Sequence, residues 1–181
     1  MKRESKVEQL VIAALIAAIY AALCAVLPQL NYGVLQLRLS ELLTILPVFT
    51  PAAIPGLTVG CFLSNLYGLS VGANPAGMWD LLLGPLATFL AALLTRLWSE
   101  KRIKGLPVWS TLPPVLINAV IVGAELAVAY FDHFTWGIYA TCVLEIGVSQ
   151  LAVCTIGGLL LFVLLTRTGV DRRLFGQRKR I

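Results

Sequence analysis

Long apolar runs, interrupted by prolines and a few short charged blocks, set the architecture of this chain. Gln9 to Leu37, Leu42 to Trp79 and Ile146 to Thr166 contain no Asp, Glu, Lys or Arg. A helix needs about 20 mostly apolar residues to cross the hydrocarbon core, so 181 residues divide into about six spans with little left over. The first is expected at about 8–27, where Pro28 ends it. The second, at 36–47, is short and polar for a span, and Pro47, Pro51 and Pro55 then make a tight turn or broken helix into the third, at 53–67. Residues 68–77 read as a loop. The remaining spans are expected at 78–98, at 111–131 with Pro113 and Pro114 in its first turn, and at 137–166, a stretch long enough to tilt or to bend at Gly157 and Gly158. The pattern predicts an all-α integral membrane protein, a six-transmembrane-helix bundle forming one membrane domain over 1–181.

Composition narrows the function classes. The chain is 59% hydrophobic and 13% charged with mean hydropathy +0.87, against roughly 25% charged residues in a soluble domain. No soluble catalytic or nucleotide-binding domain fits beside the spans. There is no GxxxxGK[ST], HExxH or GxSxG motif, so the chain reads as no enzyme, it implies no cofactor, and any ATP hydrolysis belongs to another chain. Cys24, Cys61, Cys142 and Cys154 lack a CxxC and read as small buried residues, without a disulfide framework or a metal site. His133, alone in a loop, offers no metal site either. MKRESK followed by an apolar stretch imitates a signal peptide, but Leu23 is too large beside a cleavage point and five spans follow, so an uncleaved first helix is expected.

Charge then orients the bundle. Thirteen of the fourteen basic residues fall in three blocks: Lys2, Arg3, Lys6; Arg96, Lys101, Arg102, Lys104; and Arg167, Arg172, Arg173, Arg178, Lys179, Arg180. Lys and Arg near span ends are retained in the cytoplasm, which places both termini and the loop between the fourth and fifth spans inside. Because the blocks flank spans, the net charge of +5 describes membrane topology and not a nucleic-acid surface. The basic tail reads as an anchor on anionic lipid or on a partner subunit.

Ionisable residues outside the blocks mark candidate chemistry. Glu41, Asp80, Glu125 and Glu145 come from four spans and fall in the same outer half of the membrane on this topology. A charge near a helix centre costs about 2.5–3.5 kcal/mol and usually faces a bundle interior or a watery cavity. Arg38 lies three residues before Glu41 on one helix face, so a local ion pair is available, either as a packing strut or as part of a site. Asp80 opens its helix and either caps it or binds ligand. Asn118 lies seven residues before Glu125 on the same face, Ser149 lies one turn after Glu145, and Asn65 closes the third span. Trp79, Tyr67, Tyr130, Phe131 and Trp136 supply flat apolar surface at that level. Convergent carboxylates, amides and aromatics suit a planar, donor-bearing or cationic small molecule. On the first span, Ala13, Ala17, Ala21 and Ala25 form one small-residue row and Ala14, Ala18 and Ala22 the next; one row packs inside, which leaves the other for a partner protein.

The run from Gln36 to Pro47 (QLRLSELLTILP), followed by Thr50-Pro51-Ala52-Ala53-Ile54-Pro55-Gly56-Leu57, Gly60-Cys61 and Asn65, closely resembles the QueT family. Asp80 with Gly84 and Ala87-Thr88, the run from Pro113 to Ala119 with Val122-Gly123, and Glu145 extend the likeness over nearly everything between Ala13 and Leu165. The loop from Tyr67 to Gly77, the segment around Asp132 to Trp136 and the tail are the least family-like parts. The resemblance implies a substrate-binding S component of an energy-coupling-factor transporter in the bacterial cell membrane, with a pocket opening outward. It further implies a transmembrane coupling protein met through an alanine row of helix 1, two cytoplasmic ATPases, and a queuosine precursor as ligand, either a 7-deazaguanine or the free queuine base. On that footing Glu41, Glu125 or Glu145 accepts the base edge or an amine, Asn118, Asn65 and Asp80 complete the hydrogen bonds, and Trp79 or Tyr130 stacks on the ring. Arg38 is expected to hold Glu41 in place. The competing readings are an S component for another vitamin-like ligand and a proton-coupled carrier acting alone.

Overall fold

When nearly every turn of a helix is apolar, side-chain size selects the face that packs inward. The computed structural model describes residues 5–26, 28, 31, 37–74, 76–129, 131 and 133–175. Among these, α1 (Lys6–Val26) leads to a 3₁₀ helix (Leu39–Val48), then α2 (Ala53–Ser70), α3 (Met78–Leu97), a short 3₁₀ turn (Val108–Thr111) and α4 (Leu112–Ala129). The last long element is continuous: α5 (Trp136–Gln150), a π-helical segment (Leu151–Gly157) and α6 (Gly158–Thr168), followed by α7 (Val170–Phe175).

Four stretches are long and apolar enough to cross a membrane: Lys6–Val26, Met78–Leu97, Val108–Ala129 and Trp136–Thr168. α2, with 18 residues, reaches about 27 Å at 1.5 Å per residue. The expected second span differs most. Its described part is a 10-residue 3₁₀ helix, about 20 Å long at 2.0 Å per residue and too short to cross the core alone. Thr44 Oγ1 donates to the Glu41 carbonyl at 2.6 Å, and Pro47 has no N–H for an α-type bond. Ser40, Glu41 and every residue from Leu43 to Val48 are buried, so this short element is an internal strut of the bundle.

Glycines set the closest helix contacts. A Cβ at Gly56 would lie 2.8 Å from the Ala13 carbonyl oxygen, and one at Gly60 would lie 2.8 Å from Tyr20 Cβ and 3.1 Å from Ala17 Cα. α1 and α2 therefore run parallel and nearly backbone to backbone. α4 and α5 are antiparallel, with Gly123 against the Val143 backbone and Gly147 against Ala119. Gly157 and Gly158, expected as bend points, have ordinary helical dihedrals; they sit against Leu42 and Ile45, where lack of a side chain lets the strut approach. The irregularity in this long helix is the π-helical widening that precedes them.

Apart from Arg38, the described basic residues gather at one end of the bundle. Arg96 closes α3 and donates to the Pro47 carbonyl at 3.0 Å, Arg102 lies over the Phe162 ring at 5.5 Å, and Phe162 stacks on Phe49, which stacks on Phe175. Phe49 ends the strut, while the opposite end of the strut carries Arg38, Ser40 and Glu41. The strut thus joins the basic end to a polar cluster at the other.

Candidate functional site

Six elements, counting the long last helix as one, bring buried polar side chains together at that second end. Arg38, the residue before the strut, donates from Nη2 to Asp80 Oδ2 at 3.0 Å, and both side chains are almost fully buried. This is the ion pair that forms, and it replaces the local Arg38–Glu41 pair expected from spacing. Asp80 Oδ2 also accepts from Asn74 Nδ2 at 2.7 Å, and the Asp80 carbonyl accepts from Asn65 Nδ2 at 2.7 Å. Asp80 makes no helix cap: the N-cap of α3 is Gly77, which has no side chain to bond.

Glu41 occupies a second half of the cluster. Its Oε1 accepts from the Tyr20 hydroxyl at 2.5 Å, and its Oε2 accepts from Asn118 Nδ2 at 3.4 Å. Asn118 also donates to Gln150 Oε1 at 3.2 Å, which accepts from Cys154 Sγ at 3.0 Å. Cys24 and Ser40 touch at 3.0 Å, and Cys61 Sγ lies 3.9 Å from Arg38 Nη1. All four cysteines are free and buried.

Some buried polar atoms of the cluster are left over. Asn65 Oδ1, Asp80 Oδ1 and both carboxylate oxygens of Glu125 have no hydrogen-bond partner among the described residues, and every one is an acceptor. Natural interiors leave few polar atoms unpaired, because each costs about 1–3 kcal/mol. Acceptors from α2, α3 and α4 are therefore left able to take N–H or O–H donors. Gly84 shapes it, since a Cβ there would collide with Asp80 Oδ1 and Asn65 Nδ2. Gly84→Ala is accordingly expected to displace one of these groups and weaken ligand binding roughly tenfold, the cost of one hydrogen bond at a buried group, as read by calorimetric titration.

The other expected residues are placed as follows. Glu145 is half-buried and makes no hydrogen bond or ion pair among the described residues; Ser149 donates to the Ile146 carbonyl of its own helix. Trp79 is 67% exposed in the first turn of α3, outside the buried cluster. Tyr130 and Asp132 lie outside the described residues, as does Gln36, which opens the family-like run. On α1, Ala17 is buried and Ala13 and Ala21 half-buried against α2, whereas Ala14, Ala18 and Ala22 are exposed.

Sequence reasoning missed Tyr20, Asn74 and Gln150. Tyr20 carried a signal, because it lies three residues after Ala17 and seven after Ala13 and so shares the small-residue face of α1. Asn74 sits in a loop with no periodicity to exploit, beyond the positive-φ Gly72 and Gly77 that let the chain turn back over Asp80. Gln150 was the lone amide in the last uncharged run.

The family model described as QueT transporter matches residues 10–167, and the chain belongs to that family. No curated protein and no solved structure matches it. It is a multi-pass membrane protein of a transporter family.

Proposed function

We propose that this QueT-family chain is the substrate-binding S component of an energy-coupling-factor importer in the bacterial cell membrane, and that it takes a queuosine precursor, a 7-deazaguanine or the free queuine base. The observation that carries the reading is the set of unfilled acceptors, Asn65 Oδ1, Asp80 Oδ1 and the Glu125 carboxylate, inside a transporter bundle. A guanine-like edge presents adjacent N–H donors that such acceptors take in pairs. The basic residues at the far end assign that end to the cytoplasm, so the polar cluster is reached from outside.

Partners follow from what the chain lacks and from what it leaves uncovered. It has no phosphate loop, so the driving hydrolysis belongs to other chains, which the family resemblance implies are two cytoplasmic ATPases acting through a transmembrane coupling protein. Close helix approach in a bilayer needs small residues. With the Ala13–Ala17–Ala21 row turned toward α2, the row left for the coupling protein is Ala14, Ala18 and Ala22, beside a groove lined by Ile19, Ala22, Leu23, Val26 and Leu39. Ala18→Trp is expected to leave ligand affinity unchanged while abolishing co-purification of the coupling protein. Loss of ligand binding together with intact assembly would reverse that assignment.

Mass spectrometry of the small molecule that co-purifies with the chain tests the ligand, with a 7-deazaguanine base expected. A different bound vitamin would make this an S component for another ligand. Reconstitution tests the mechanism: uptake into liposomes should require the coupling protein, both ATPases and ATP. Uptake by the chain alone along a pH gradient would establish a proton-coupled carrier instead.

A further inference from the structure

Resting on the reading that the polar cluster is the ligand site, we infer that Glu125 is the counter-ion for a positively charged group on the ligand, so that a cationic ligand is preferred over a neutral one of the same shape. Glu125 projects from α4 with 6% of its surface exposed, and both of its carboxylate oxygens are buried without a partner. A carboxylate withdrawn from water without compensation is among the most costly groups to bury, so its retention calls for a matching charge.

No other described residue supplies that charge. Glu125 feels the fields of Asp80 and Arg38, but the Arg38 guanidinium is hydrogen-bonded to Asp80. Glu41 is engaged by Tyr20 and Asn118. Among the described residues the cluster holds three carboxylates, Glu41, Asp80 and Glu125, against one cation, Arg38. The other described basic residues stand at the opposite end; Arg96 is about 24 Å from Asp80 along α3. A neutral N–H edge would satisfy the oxygens and leave the excess charge in place, whereas an ammonium or amidinium supplies both donors and charge.

The experiment compares the parent protein with E125Q by titration calorimetry, using two probes that share the deazaguanine ring. 7-Aminomethyl-7-deazaguanine is cationic at neutral pH, and 7-hydroxymethyl-7-deazaguanine is its neutral counterpart of nearly the same shape. The parent is expected to prefer the cationic probe by roughly 30-fold or more, the scale of a buried charge pair. E125Q is expected to lose that preference, its affinity for the cationic probe falling roughly 30-fold further than its affinity for the neutral one. An unchanged preference in E125Q, or an equal loss for both probes, overturns the inference. A thermal melt without ligand decides it independently. Removing an uncompensated buried charge should leave the Tm of E125Q at or above that of the parent, and a lower Tm would assign Glu125 a structural role. If neither probe binds the parent, the deazaguanine reading fails, and the melt still decides the role of Glu125.

Discussion

Arg38→Ala is expected to destabilise the protein by about 3–5 kcal/mol, the cost of leaving one member of a buried ion pair without its partner. Asp80 would retain the Asn74 amide, but its charge would stand uncompensated among buried groups, with Glu41 and Glu125 in the same cluster. A thermal melt in detergent reads the loss, and binding should disappear with it because Asp80 and Asn65, joined by a hydrogen bond, form one wall of the proposed site. The double substitution Arg38→Met with Asp80→Leu separates the two effects. Apolar residues of similar volume commonly replace a buried pair without loss, so the double variant is expected to recover most of the stability and none of the binding. A double variant that still binds ligand would remove the pair from the site.

Gly60→Val should be nearly as damaging, by a different route. The new side chain would press on Tyr20 Cβ and on the Ala17 backbone, and backbone cannot rotate away as a flexible side chain can. Overpacking of this kind costs about 1–3 kcal/mol. It also pushes α1 from α2 at the level of Tyr20, whose hydroxyl donates to Glu41. Stability and ligand affinity are therefore expected to fall together, in contrast to Ala18→Trp on the outward face of the same helix, which should alter neither. A Gly60→Val protein with normal affinity would show that the Tyr20–Glu41 bond does not organise the site.

Much of the buried polar cluster was visible residue by residue. Glu41, Asp80, Glu125, Asn65 and Asn118 are conspicuous because polar groups are expensive in an apolar chain, and all five are buried. Glu145 and Trp79 met the same criterion from sequence yet stand apart from the cluster, since position along a helix gives depth but not facing direction. The winding of the second span, expected as a short one at 36–47, was not legible for a related reason. A 10-residue apolar segment has the composition of a membrane helix, but its 3₁₀ winding and its burial against α3 and α6 come from packing.

Hydropathy and charge are summed along the chain, so the sequence alone determined the membrane class, the apolar segments, the segregation of basic residues and the carboxylates that needed explaining. Which groups pair is a matter of register between helices, and register is decided where backbones touch. Gly56 and Gly60 turn the Ala13–Ala17 row and Tyr20 inward and leave Ala14, Ala18 and Ala22 outside; Gly84 leaves room for Asp80 beside Asn65. Only that tertiary contact could give Arg38 to Asp80, 42 residues away, when Glu41 stood one helical turn from it, and only it could leave Glu125 buried without a partner.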